Sequence, residues 1–160
     1  MNDLNILDIP EIHSEIENKS KEIGFTMPSD LYIGSLLKTL ITSKPKSNIL
    51  ELGTGIGLSL SWMIDGMDSQ SKLISIDNDP KLIEIAKNYF GKDKRVEIIC
   101  ADGTEWIKSY KGEKFDLVFA MTKDLYLFLG TSQVHHHVSH NPFMIIGTFH
   151  PNVENQTKLF

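Results

Sequence analysis

The sequence predicts an α/β protein built on a doubly wound, mostly parallel sheet. Short apolar runs alternate with helix-patterned segments between residues 47 and 120. A glycine-rich loop directly follows the first apolar run, and an aspartate stands at the end of each of the next two. Strands alternating with helices at this pitch pair in parallel through right-handed crossovers, because each helix returns the chain to the same end of the sheet.

The bulk figures fit one such domain. A chain of 160 residues supports one core but not comfortably two, and 41% hydrophobic with 23% charged residues is ordinary for a globular protein. A formal net charge of −5 argues against nucleic acid or an anionic membrane as partner, since phosphate fields repel it. The single cysteine, Cys100, excludes an internal disulfide and fits a reducing compartment. No basic start leads into an apolar run, so no signal peptide is expected. No stretch approaches the ~18 apolar residues that span a bilayer. A cytoplasmic domain is the expectation.

Element by element, Ile12, Ile16 and Ile23 recur at helical spacing over residues 11–23, and Gly24 ends that helix. A second helix is predicted over 29–42, started by Pro28 and Ser29, carrying Leu31, Leu36, Leu37, Leu40 and Ile41 on one side, and ended by Lys44-Pro45. Asn48–Leu52 is the first strand, and 58–64 a helix. Lys72–Asp77 is the second strand, with a helix over 81–90 behind Asp79-Pro80. Val96–Cys100 is the third strand, 104–110 a short helix, and 115–120 the fourth strand. Cys100 reads as a buried strand residue and not a nucleophile, because no paired histidine is visible.

Residue 121 marks a break in composition. Residues 1–121 hold 33 of the 37 Asp, Glu, Lys and Arg, and five of the six histidines (135, 136, 137, 140 and 150) lie beyond. His136 and His140 stand four apart and could share a helix face for a metal. No carboxylate or cysteine stands close by and Pro142 interrupts, so an incidental polar stretch is preferred.

The chemistry concentrates in Glu51-Leu52-Gly53-Thr54-Gly55-Ile56-Gly57. Glycines let the backbone turn sharply and let a ligand approach the main chain; the plain alternative is a tight strand-to-helix turn with no ligand. Asp77 ends the second strand 20 residues beyond Gly57, where an acidic side chain meets a ribose diol. Asp102 follows the third strand, also at a carboxyl end. Each aspartate alone reads equally as a helix N-cap, but three such features on consecutive strand ends favour a ligand crevice. A dinucleotide loop wants a third glycine at position 58, where this chain has Leu58. The Glu51 carboxylate would also repel a pyrophosphate, which favours S-adenosylmethionine over NAD.

These residues resemble class I methyltransferases, and more narrowly the small-molecule O-methyltransferases related to catechol O-methyltransferase. ILELGTGIGLS is similar to that family's first motif, LISIDNDPKLIEIA to its second, ICADGTEWI to its third and KFDLVFA to the start of its fourth. FTMPSDLYIGSLLKTLI resembles the helix that closes over the cofactor. The resemblance implies a Rossmann-like methyltransferase core at 47–121, helices at 1–46 capping the cofactor site, and a tail at 122–160 that completes or replaces the C-terminal half. It implies an S-adenosylmethionine site made of Glu51, Gly53, Thr54, Gly55, Gly57, Ser59, Asp77, Asn78, Asp102 and Gly103. Glu51, Gly53 and Ser59 would take the methionine end, Asp77 the ribose, and Asp102 and Gly103 the adenine. Trp106 would pack on the adenine ring or serve as a core residue.

Two departures accompany the resemblance. Metal-assisted members place an aspartate just after the fourth strand, where this chain has Met121, whose thioether is a poor ligand for a hard cation; Asp124 stands nearby. The tail also matches none of the family's remaining elements. Its charge loss fits a shifted reading frame better than a truncated or divergent terminus. Only 125–129 and 143–149 read as strands, so the fourth strand is expected to show an apolar edge and to invite a homo-oligomer or aggregation. The function expected is methyl transfer to an oxygen of a small molecule, with no catalytic residue or metal assigned. The alternatives are an inactive cofactor-binding domain and, below it, an NAD-dependent oxidoreductase.

Overall fold

The computed structural model describes residues 6, 8–26 and 30–121, and the backbone of two further strands at 138–150 and 153–159. The elements run α1 (His13–Glu22), α2 (Leu31–Thr42), β1 (Asn48–Leu52), α3 (Leu58–Gly66), β2 (Lys72–Asp77), α4 (Pro80–Phe90), β3 (Val96–Cys100), α5 (Gly103–Ser109), β4 (Phe115–Met121), β5 (Val138–His150) and β6 (Val153–Leu159). One sheet in the order β3-β2-β1-β4-β5-β6 organises them. All neighbours pair in parallel except β5 and β6, which are antiparallel. This is the predicted doubly wound sheet.

Residues of alternate parity on β1 feed two cores. Ile49 joins Leu73, Leu117 and residues of α1–α4, including Ile16, Leu37, Met63 and Ile83. Leu50 and Leu52 join Ile76, Val118, Ala120 and Ile107 of α5. The helices start where side-chain oxygens satisfy their free N–H groups. Asp79 accepts from the N–H groups of Lys81 and Leu82, with Pro80 at the first helical position of α4. Asp30 accepts from Tyr32 N at 2.8 Å and caps α2. The predicted start signals of that helix, Pro28 and Ser29, lie outside the described residues.

The fully buried stripe of α1 is His13, Ile16 and Ser20; of the expected isoleucines, Ile12 packs partly buried against the same core, while Ile23 is exposed. Both polar members of the stripe have partners, which makes their burial tolerable. Ser61 Oγ donates to Leu58 O, leaving its lone pairs to accept from His13 Nδ1–H at 3.1 Å. The His13 ring meets Trp62 edge-on at 5.5 Å. Burial depresses the His13 pKa, partly offset by Glu17. Ser20 bonds to Phe25.

Two further expectations are corrected. The outer edge of β4 is paired: β5 runs parallel to it from Leu117↔Phe143 to Met121↔Gly147, and β6 returns along β5. The strand predicted at 143–149 lies inside β5, while that at 125–129 lies outside the described residues. β5 supplies partners for the β4 backbone groups that an open edge leaves unpaired. The expected association through β4 loses its basis. Cys100 is exposed, because β3 is the outermost strand on its side of the sheet. Of the tail histidines, 135–137 lie outside the described residues.

Gly34 belongs to the α2 stripe with Leu37 and Ile41. A Cβ there would stand 2.5 Å from Trp62 Nε1, and Trp62 is only 1% exposed. Helix propensity alone favours Gly34→Ala by about 1 kcal/mol. The overpacking should win, with a net loss of about 1–3 kcal/mol. Chemical denaturation will show a lower midpoint for Gly34→Ala; an unchanged or higher one would contradict the packing.

Candidate functional site

The loop at 53–57 leaves β1 at its carboxyl end and enters α3. Gly53 N donates to Ile76 O at 2.8 Å, pulling the loop against β2. Gly53 and Gly57 adopt φ of 100° and 97°, which side-chain-bearing residues avoid. Space forbids a Cβ at both positions as well: at Gly53 it would strike the Met121 carbonyl oxygen, and at Gly57 it would lie 2.8 Å from the Phe90 ring.

Beneath the loop lies a closed polar cluster. Glu51 is 0% exposed and faces Ser75 in register across β1 and β2. Ser59 Oγ, from the first turn of α3, bonds to Glu51 Oε1. Ser75 Oγ bonds to Glu51 Oε2 at 2.5 Å, and Thr54 Oγ1 to Ser75 Oγ at 2.6 Å. Burial raises the Glu51 pKa to about 8; the two serine hydrogen bonds oppose this, and the charge of Asp77 adds to it. Glu51 is therefore mostly neutral at neutral pH, and the repulsion of a pyrophosphate by its charge does not apply. Leu58, in the third-glycine position and 4% exposed within the core, remains the feature that departs from a dinucleotide loop.

Asp77 stands half-buried at the end of β2. Its Oδ2 accepts from Gly55 N at 2.8 Å and its Oδ1 from Asp79 N at 3.0 Å. It is not a helix N-cap, since Asp79 caps α4. Each carboxylate oxygen retains a second lone pair for a ligand hydroxyl. Asn78 is exposed beside it. Asp102 is an N-cap: its Oδ1 accepts from Glu105 N at 2.9 Å. Ala101 N donates to Asp77 O at 2.9 Å, which sets Asp102 and Gly103 next to the Asp77 turn. Trp106 packs against the second core and lies tilted against Tyr110 at 4.7 Å between ring centroids, the core alternative.

The predicted residues thus gather at the carboxyl ends of β1, β2 and β3, in two layers. Glu51 and Ser59 are buried below the loop and Thr54 within it, while Asp77, Asn78, Asp102 and Gly103 are at least partly accessible. Ser75 escaped the sequence reading, although a serine inside the apolar run KLISID was a visible signal. Among the described residues no group of three His, Cys, Asp or Glu side chains is placed to hold a metal; Asp124 lies outside them.

The raised Glu51 pKa fixes the sign of a pH effect. Between its ordinary 4.5 and about 8 the folded chain keeps a proton that the unfolded chain releases. This stabilisation is complete below the unfolded value and is lost as the pH rises through the folded one. One full proton lowers the folding equilibrium constant tenfold per pH unit. Urea midpoints measured from about pH 5 to 8.5 will fall more steeply for the parent chain than for Glu51→Gln; parallel curves would contradict a neutral buried Glu51.

Comparison with known proteins places this geometry. A family model for a methyltransferase domain matches residues 49–139. A solved structure of a methyltransferase from Podospora anserina, bound to S-adenosylhomocysteine, has 25% identity and a TM-score of 0.74, covering 89% of this chain and 64% of that one. The O-methyltransferase from Bacillus cereus in complex with S-adenosylhomocysteine shares the fold at 19% identity and a TM-score of 0.76, over 89% of this chain and 68% of that one. A Mycobacterium leprae protein, provisionally named an O-methyltransferase, is 30% identical over 112 residues, 68% of this chain and 50% of its own. The chain spans about half the length of the curated relatives it matches. With its glycine loop at the head of a matched segment covering more than half its length, the chain belongs to the methyltransferase domain family.

Proposed function

We propose that this chain binds S-adenosylmethionine in the crevice above the 53–57 loop and serves methyl transfer to an oxygen of a small molecule. The observation that carries the proposal is the bond from Gly55 N to Asp77 Oδ2, which ties a cradle too tight for side chains to an aspartate at the next strand end. The donor set suits the ligand: open carboxylate lone pairs for a ribose diol, bare loop backbone for the methionine portion, and Asp102 with Gly103 for the adenine edge. The relatives from Podospora anserina and Bacillus cereus bind the demethylated form of this cofactor, which supports the same assignment here.

When bound, S-adenosylmethionine supplies an electrophilic methyl group on a sulfonium. The residues of this chain hold and orient. Asp77 accepts hydroxyl bonds while its remaining lone pairs keep the loop closed. Glu51, Ser59 and Ser75 brace the loop from below so that it need not reorganise around the ligand. Such alignment, with exclusion of water, is the main lever a protein has on a transfer of this kind. A small-molecule acceptor and a cytoplasmic location complete the proposal; among the described residues no helix is long and apolar enough to cross a membrane. A second reading, a domain that binds the cofactor without turnover of its own, is favoured by one observation: Met121 closes β4 where metal-assisted members carry an aspartate.

Calorimetry with S-adenosylhomocysteine and with NADH tests the cofactor assignment, and binding of NADH alone would refute it. Asp77→Ala should weaken S-adenosylhomocysteine by about 1.5–3 kcal/mol, roughly tenfold to a hundredfold. Asp102→Ala should chiefly cost the α5 cap, about 1 kcal/mol of stability. Equal effects of the two substitutions on binding would overturn the ranking. Turnover with a panel of small phenols separates the first reading from the second.

A further inference from the structure

The segment joining α1 to α2 carries an aromatic ring to the cradle. Gly24, at φ 66°, turns the chain after α1, and Ser20 then clasps the next residue from both sides. Phe25 N donates to Ser20 O at 2.9 Å, and Ser20 Oγ donates to Phe25 O at 3.3 Å. Ser20 is itself only 4% exposed. The helix bearing the clasp is pinned to α3 through His13 and Ser61, so the ring has a fixed origin relative to the loop. Its tip reaches Gly55: a Cβ there would stand 3.0 Å from Phe25 Cζ. Gly55 is the residue whose N–H bonds to Asp77. Phe25 is only half-buried: its ring packs against the core shared by α1–α4 and keeps part of its surface open beside the loop.

We propose that Phe25, clasped by Ser20, is a positioning residue for the cofactor: its ring holds Gly55 against Asp77 and walls water off from that junction. The inference rests on the cofactor reading above. Hydrogen bonds to a carboxylate strengthen when water is kept from them, and a ring fixed by its backbone does this with little loss of side-chain freedom on binding. Ser20 acts only through the ring.

The experiment measures S-adenosylhomocysteine binding by calorimetry to the whole chain and to Phe25→Ala, Phe25→Trp and Ser20→Ala, with a thermal melt of each without ligand. Phe25→Ala should raise the Kd about tenfold or more while its ligand-free Tm stays within about 4 °C of the parent. Phe25→Trp should keep binding, and its fluorescence, taken as the difference from the parent chain, should shift on saturation because the ring borders the ligand. Ser20→Ala should weaken binding in the same direction, and Ser20→Ala with Phe25→Ala should be no worse than Phe25→Ala alone. Should Phe25→Ala fail to fold, the tryptophan variant decides. Unchanged or tighter binding by Phe25→Ala would show a bystander or a plug, and an unmoved tryptophan signal at saturation would place the ring away from the ligand; each overturns the proposal. If the parent chain binds no S-adenosylhomocysteine, the cofactor reading itself falls; if the parent binds and only the Phe25 results fail, that reading stands without this inference.

Discussion

A carboxyl group removed from water holds this site together. Glu51 sits at 0% exposure with both oxygens bonded, one to Ser59 at the start of α3 and one to Ser75 inside β2. A buried carboxyl is tolerable only when neutral or fully partnered. This one has a partner at each oxygen, with Ser59 Oγ donating to Oε1 and Ser75 Oγ to Oε2, and its burial still raises its pKa to about 8. Thr54 extends the chain into the loop. Three segments, β1, α3 and β2, meet at this one side chain, and the loop joins them through Ser75.

The cradle above is shaped from three directions. The Met121 carbonyl at the end of β4 closes on Gly53, the Phe90 ring from the last turn of α4 closes on Gly57, and Phe25 closes on Gly55. None of the three glycines has room for a methyl group without displacing something. The repeated glycine spacing is therefore a record of packing as well as of backbone conformation. The pairing of β5 with β4 bears on the same point, because it fixes Met121 opposite Gly147 and so sets the carbonyl that Gly53 must accommodate. Asp77 joins the two layers: it bonds to the loop through Gly55 N, and its charge helps keep the Glu51 proton in place.

The strands at 48–52, 72–77 and 96–100 were legible to the residue because each is a short apolar run bounded by local signals. The glycine loop and its two aspartates were legible because a motif is local too. What stayed hidden depends on contacts far apart in sequence. Ser75 matters only because it faces Glu51, 24 residues away. Phe25 matters only because α1 docks on α3. Cys100 looked buried because a strand's apolar pattern does not say whether the strand is central or at an edge. The open edge expected at β4 fails for the same reason: the tail's poverty in charge is visible in the sequence, but its pairing with β4 is not. The carboxylate of Glu51 was read as a charge because the motif shows its identity and not its burial.

The most direct measurement is the titration of the Glu51 carboxyl carbon by side-chain ¹³C NMR on the folded chain. The account predicts a midpoint near 8 and a neutral carboxyl at pH 6.5. A midpoint near the ordinary 4.5 would mean an ionised, hydrated Glu51, and the neutral brace beneath the glycine loop would have to be abandoned.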